Sequence, residues 1–308
     1  MNSPSGLKQP PGHLRSEPGL RPEDLRAIED LAAACVAVDG GRLKLERGVL
    51  QSRPPDRVND FLWMGEQGLL GFLGLYGDRP DQAEICGMVH PGARRQGVFS
   101  RLFEAATAEL ARRGVPQALL VVDRLYDSGS CFARHVGGTI EHSEHRMTLR
   151  REPADVFANP LVTIRDAVLG DARFVLSCLT EAFGLPTEHL GDSQVEALAR
   201  RFPGTLVIEY ANERVGTVRV DRDDHAAGIY GFAVVPRYQG RGIGGQVLST
   251  LARDLKAEGV ADIGLEVSVT NDAALRLYLS CGFDVMGTED YYELRFESQG
   301  TDPGGHAP

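Results

Sequence analysis

Apolar and polar residues alternate along this chain in one pattern that is run through twice. In the first half, apolar runs at 61–64, 69–76 and 85–89 are short and bounded by Gly-containing turns, which predicts strands. Leu102, Phe103, Ala106 and Leu110 then recur at helical spacing, and another strand-like run follows at 118–122. In the second half a strand is predicted around 162–165, a helix over 170–183, and strands around 205–210 and 214–220. An apolar run at 229–235 leads into Val247, Leu248, Leu251 and Leu255, which share one helical stripe.

The two rounds are copies at a fixed separation. Pro236 follows Pro91 by 145 positions, and the same offset relates Gln239 to Arg94, Gly242 to Gly97, Gly259 to Gly114 and Gly282 to Gly137. A period of that size is a whole domain, so the chain is predicted to hold two tandem units, 19–150 and 161–297, joined by a Pro-containing linker at 151–160. The Pro-, Gly- and Ser-rich residues 1–18 and the tail 298–308 are predicted to be disordered.

Composition adds exclusions. The chain has 308 residues, 42% hydrophobic and 25% charged, enough for two globular domains. No apolar stretch approaches the ~20 residues that span a bilayer, and the N-terminal segment lacks the apolar core of a signal peptide. Cys35, Cys86, Cys131, Cys178 and Cys281 are scattered without paired spacing. That argues against a disulfide framework or zinc site and for a reducing, cytoplasmic setting. The formal charge of −10 argues against nucleic acid as a partner and would draw in a cationic acceptor such as an amine.

The densest candidate chemistry lies at the junction 234–244, Val-Val-Pro-Arg-Tyr-Gln-Gly-Arg-Gly-Ile-Gly. Glycines there let backbone approach an anion, and the first turn of the following helix has N–H groups with no intrahelical acceptor. A lone Gly-x-Gly is usually an ordinary turn; the residues downstream change its weight. Gln239-x-x-Gly242-x-Gly244, followed by Leu265-Glu266-Val267, Asn271, Tyr278 and Gly282-Phe283, resembles the two signatures of the GNAT superfamily of acyl-CoA-dependent N-acetyltransferases, in the family's order. The resemblance covers about 162–296, and the tandem arrangement resembles mycothiol synthases, pairs of GNAT domains with a degenerate first half.

The resemblance implies an α+β fold, an α/β/α sandwich in each unit, with a mixed, mostly antiparallel sheet splayed at the cofactor site. It implies acetyl-CoA as co-substrate and no metal. Phe232 and Val234 would hold the pantetheine arm through their main chain, and the backbone N–H groups of Gln239, Gly240, Arg241, Gly242, Ile243 and Gly244 the pyrophosphate. Arg237 or Arg241 would add charge near the phosphates, or is a solvated loop arginine. Tyr278 matches the general acid that protonates the departing thiolate. Asn271 either bonds the pantetheine arm or caps the next helix. The run from Leu265 to Tyr278 resembles ribosomal-protein N-terminal-alanine acetyltransferases, in which the residue matching Glu266 is the base. Strand alternation puts Glu266 on the face away from Leu265 and Val267, in the cleft or at the surface. Tyr291 and Tyr292 either line the acceptor site or are strand aromatics. The acceptor-facing segment, roughly 170–201, carries no interpretable motif.

The first copy is altered. Arg94-x-x-Gly97-x-Phe99 is a second possible cofactor site with Phe99 in place of the small residue, while at the same offset Tyr278 and Asn271 fall on Ala133 and Tyr126, unless a local gap shifts the register onto Tyr126 or Ser128. Glu84 lies where many GNAT enzymes carry a base, and the second copy has Ile229 there. The first unit is therefore expected to be structural or to bind CoA without turnover. His142, Glu144 and His145 read as strand surface rather than as a metal site. The expected function is acetyl transfer to an amine, of a small molecule or a peptide N-terminus, by direct attack on the thioester. A non-catalytic acyl-CoA sensor is the alternative, and the state is monomer or homodimer.

Overall fold

The computed structural model describes residues 11–41, 43–77, 79, 81–153, 158–184, 190–200, 203–222 and 226–296, apart from the side chain of Leu198. The chain forms two compact units, one comprising residues 1–143 with 289–308, the other 144–288.

In the first unit the strands are β1 (His13–Arg15), β2 (Asp60–Gly65), β3 (Gly68–Tyr76), β4 (Gln82–Val89) and β5 (Gln117–Asp123). They lie in that order, and only β4 and β5 are parallel. Helix α1 (Pro22–Asp39) opens with Pro22, which fits a first-turn position because its missing N–H has no intrahelical acceptor there. It buries Ile28, Leu31 and Cys35, spaced at i, i+3 and i+7, against Leu62, Phe72, Tyr76, Cys86 and Met88 on one sheet face. The short α2 (Arg47–Gln51) follows. Helix α3 (Val98–Arg112) covers the other face with Val98, Leu102, Ala106 and Leu110 against Leu73, Ile85 and Leu120. Each buried Val, Leu or Ile here contributes about 1.5–3 kcal/mol. Helix α4 (Asp127–His135) follows β5.

The second unit repeats the plan. After β6 (Thr139–Leu149) come β7 (Val162–Asp166), α5 (Ala172–Phe183), α6 (Asp192–Arg200), β8 (Thr205–Tyr210), β9 (Glu213–Arg222), β10 (Ala226–Val234), α7 (Ile243–Ala257), β11 (Asp262–Ser268), α8 (Asp272–Ser280) and β12 (Phe283–Arg295). Its strands run β7-β8-β9-β10-β11-β6, with only β10 and β11 parallel. The α7 stripe Ile243, Val247, Leu251 and Leu255 packs with Val218, Ile229, Leu265 and Val267.

The last strand of each sheet is taken from the other copy. Residues 289–295 of β12 pair with β5 in the first unit, and residues 144–148 of β6 pair with β11 in the second. Tyr291 and Tyr292, read as either acceptor-site lining or strand aromatics, are strand aromatics, buried in the sheet of the first unit at 2% and 1% exposure. The expected disorder of residues 1–18 is corrected over 13–15, where β1 pairs with β2 and the Trp63 indole donates to the Pro11 carbonyl. The rest of that segment before residue 11, the tail 298–308 and part of the linker, 154–157, lie outside the described residues. Among the described residues no helix is long and apolar enough to cross a membrane.

Candidate active site

Parallel strands β10 and β11 pair only from Ala226↔Asp262 to Ile229↔Leu265, and beyond Ile229 they part. Among the described residues, 231–234 of β10 therefore keep β9 beside them on one edge and have no strand paired to the other edge. The register with β9 also slips between Tyr230 and Ala233, a bulge centred on Gly231 and Phe232, with Gly231 at φ +55°. Bulges bend a strand and re-aim its backbone groups, and a lone Gly inside an apolar run is the signal that marks this one in the sequence. Phe232 and Val234 lie on that edge.

Pro236–Tyr238 form one 3₁₀ turn at the end of β10. Gln239 donates its backbone N–H to the Pro236 carbonyl and its side-chain amide to the Val234 carbonyl, so its main chain braces the loop instead of facing a ligand. Gly240 and Gly242 follow at φ +72° and +78°, which glycine adopts without strain. Among the described residues no protein acceptor takes the N–H groups of 240–245, and the first helical bond runs from Gln246 to Gly242. These donors converge at the positive end of α7, as anion binding requires. A Cβ built on Gly244 would sit 3.2 Å from Leu277 and 3.6 Å from Phe232, so a larger residue would crowd this turn. Arg237 and Arg241 both lie over the Tyr238 ring, whose hydroxyl donates to Glu213 at 2.6 Å.

Tyr278 follows Leu277 on α8, and Cys281 ties α8 to α7 through contacts with Ser249 and the Gly245 carbonyl. The Tyr278 ring is 7% exposed in the core beside Phe283, and burial pushes its phenol up to about 12. Its hydroxyl makes no hydrogen bond among the described residues, yet it is not one of the sealed, unpartnered polar atoms. Asn271 caps α8, its side chain accepting from Ala274 N–H at 3.1 Å. Glu266 lies on the face of β11 opposite the buried Leu265 and Val267, directly across from Arg146 of β6. A cavity of about 60 Å³ lies between α5, with Cys178, Glu181 and Ala182, and the 233–236 segment with Gln239.

The first unit keeps the backbone of this site. β4 and β5 part after Ile85↔Leu120, Gly97 caps α3 at φ +86°, and Arg95 holds φ +61° where the second unit has Gly240. Arg94 braces the loop as Gln239 does, donating to the Val89 carbonyl while Asp39 takes its guanidinium head. The pairing of β3 and β4 is continuous, without the bulge. Phe99 stacks edge-on against Phe132 and fills the space beside Gly87, whereas the second unit has Gly244, Leu277 and Phe232 at the matching positions. The His142 imidazole bonds Glu141 and stacks on Tyr291, and His145 faces Thr288; among the described residues no group of three or more His, Cys, Asp or Glu could hold a metal.

The sequence profile of the acetyltransferase (GNAT) family matches residues 27–133 and again 174–283. The chain belongs to that family and is an N-acetyltransferase built from two tandem GNAT units. It is 30% identical to the mycothiol acetyltransferase of Mycobacterium avium (strain 104), across 89% of this chain and 96% of that protein. Among solved structures it resembles a GCN5-related N-acetyltransferase from Sphaerobacter thermophilus, with TM-score 0.75, 21% identity, and 92% of this chain and 95% of that one covered. It also resembles a tandem GNAT protein from the clavulanic acid biosynthesis pathway, with TM-score 0.72, 16% identity, and 94% and 100% covered. The fold is the expected α+β arrangement, a mixed sheet between helices in each unit.

Proposed function

We propose that this chain moves the acetyl group of acetyl-CoA onto the amine of a small molecule, with the working centre in the second unit. The observation that carries the reading is Tyr278, a buried phenol beside the cradle turn, where the first unit has Ala133. Its raised pKa keeps it protonated at neutral pH, the form in which a general acid acts. The free N–H groups at 240–245 fit a pyrophosphate, and the unpaired edge at Phe232 and Val234 fits an amide-bearing arm laid down as an added strand. Acetyl-CoA, as donor, supplies the thioester. Glu266 takes a proton from the acceptor's ammonium, and Tyr278 gives its proton to the sulfur as the C–S bond breaks.

The likeness to mycothiol acetyltransferases makes the acceptor of those enzymes the first to try, with a peptide panel beside it. Tyr278→Phe is expected to lower kcat by about 10²–10⁴-fold, the worth of a positioned proton donor, and to leave acetyl-CoA affinity nearly intact. Unchanged turnover in this variant would remove Tyr278 from the chemistry. A wild-type chain that binds acetyl-CoA and acetylates no amine in the panel would be a sensor instead.

A further inference from the structure

The chain contains three lysines, Lys8, Lys44 and Lys256, among 33 Lys and Arg. Lys256 pairs with Glu152 on the exposed side of α7. Lys44 is placed differently. It lies between α1 and α2 in the first unit, its side chain only 15% exposed, with Nζ 3.2 Å from the Glu84 carboxylate and donating to the Tyr291 hydroxyl at 2.8 Å. Tyr291 is itself fixed by His142 stacked on its ring at 4.2 Å. Glu84 stands on β4 one residue before Ile85↔Leu120, the last pair before β4 and β5 part. With Cys86 it points to the α1 face of the sheet, away from α3.

Residue type matters at this position. Arg, used almost everywhere else in this chain, is the better partner for a shielded carboxylate, because its planar head bonds it twice and stays charged. Lys is the cation that can give up a proton and become a nucleophile. Here the amine stands against the carboxylate that occupies the base position of the first unit, at the mouth of the strand opening.

We propose that Lys44 is an acetyl acceptor, modified by the first unit itself; this rests on the reading that the cradle at 95–100 holds acetyl-CoA. Glu84 takes a proton from the Lys44 ammonium, and the freed amine attacks the thioester carbonyl. The N–C bond forms, the C–S bond breaks, and the leaving thiolate is protonated. The products are Nζ-acetyl-Lys44 and CoA, with one proton released. The step removes the positive charge from beside Glu84 and exposes that carboxylate to a different cation. The retained cradle and base then serve one intramolecular acceptor, although the counterpart of Tyr278 is missing.

The test uses the full chain with acetyl-CoA carrying an isotopically labelled acetyl group and no added amine, followed by mass spectrometry of peptides containing each lysine and Cys86. Label is expected to rise toward one acetyl per chain at Lys44, at least ~10-fold faster than at Lys8 or Lys256, which report uncatalysed reaction. Glu84→Gln is expected to slow labelling of Lys44 by about 10²-fold, the low end of what a positioned base contributes. Lys44→Arg, which keeps the charge and hence the fold, should remove that one acetyl. Labelling of Lys44 no faster than of Lys256, or unaffected by Glu84→Gln, overturns the proposal. Acetyl-CoA binding stoichiometry, measured by calorimetry on Lys44→Arg, separates the two layers. Two equivalents bound while wild-type Lys44 stays unlabelled sinks the modification alone; one equivalent sinks the first-unit cofactor reading with it.

Discussion

Glu266 and Arg146 oppose each other directly on β11 and β6, so one carboxylate has both a structural partner and a place in the proposed chemistry. A cross-strand pair of opposite charge is worth about 0.2–1 kcal/mol. A general base is worth about 10²–10⁴ in rate, so the two roles separate by measurement. Glu266→Gln is expected to cut kcat by at least ~10² while shifting unfolding by no more than about 1 kcal/mol. A stability loss of that size with turnover intact would make Glu266 a sheet residue and nothing more. The orientation of Glu266 was legible from alternation with Leu265 and Val267, because a strand has only two faces. Its facing Arg146 was not, since β6 comes from the other copy and no local pattern encodes that pairing. Of the two readings of Asn271, the helix cap is the one seen, its side-chain oxygen accepting from the Ala274 N–H.

At the scale of elements, the two strand–loop–helix junctions solve one packing problem with the same parts exchanged. The second unit sets Phe232 on the strand against Gly244 on the helix; the first sets Gly87 on the strand against Phe99 on the helix. One ring fills the space in each case, and two rings would not fit, since the Gly244 Cβ would already lie 3.6 Å from Phe232. Gly244→Phe is therefore expected to destabilise the chain and weaken acetyl-CoA binding. Adding Phe232→Gly should recover part of the stability, with a coupling of about 0.5–3 kcal/mol between the two sites. Denaturant unfolding of the two single variants and the double variant measures it, and additive losses would contradict the exchange. The Phe99 substitution was visible in the sequence. Its compensation at Gly87 was not, because it depends on a contact across the strand–helix packing.

For the whole molecule, the repeat period fixed the number of units and their sheet plan, because each period carries a complete set of strand and helix patterns. It did not reveal the exchanged strands, since β6 and β12 have the same local pattern whichever sheet receives them. The repeat therefore leaves Tyr291 and Tyr292 open between acceptor-site lining and strand aromatics, and only the pairing of β12 with β5 decides for the second. The two units share a cradle backbone but differ in the bulge, in Tyr278 and in the filling of the cradle turn, and on those grounds acetylation of an added amine is proposed for the second. Gly97 and Gly242 hold the same left-handed conformation with open space around them, so a side chain at either strains the backbone without a collision. The decisive measurement is acetyl transfer to an added amine by Gly242→Val and by Gly97→Val, each compared with the wild-type chain. With that amine, kcat/KM for acetyl-CoA is expected to fall by about 10–100-fold in Gly242→Val, as misplacement in a binding turn does, and to stay within about 2-fold in Gly97→Val. A loss confined to Gly97→Val, or equal in both, would contradict a working centre in the second unit.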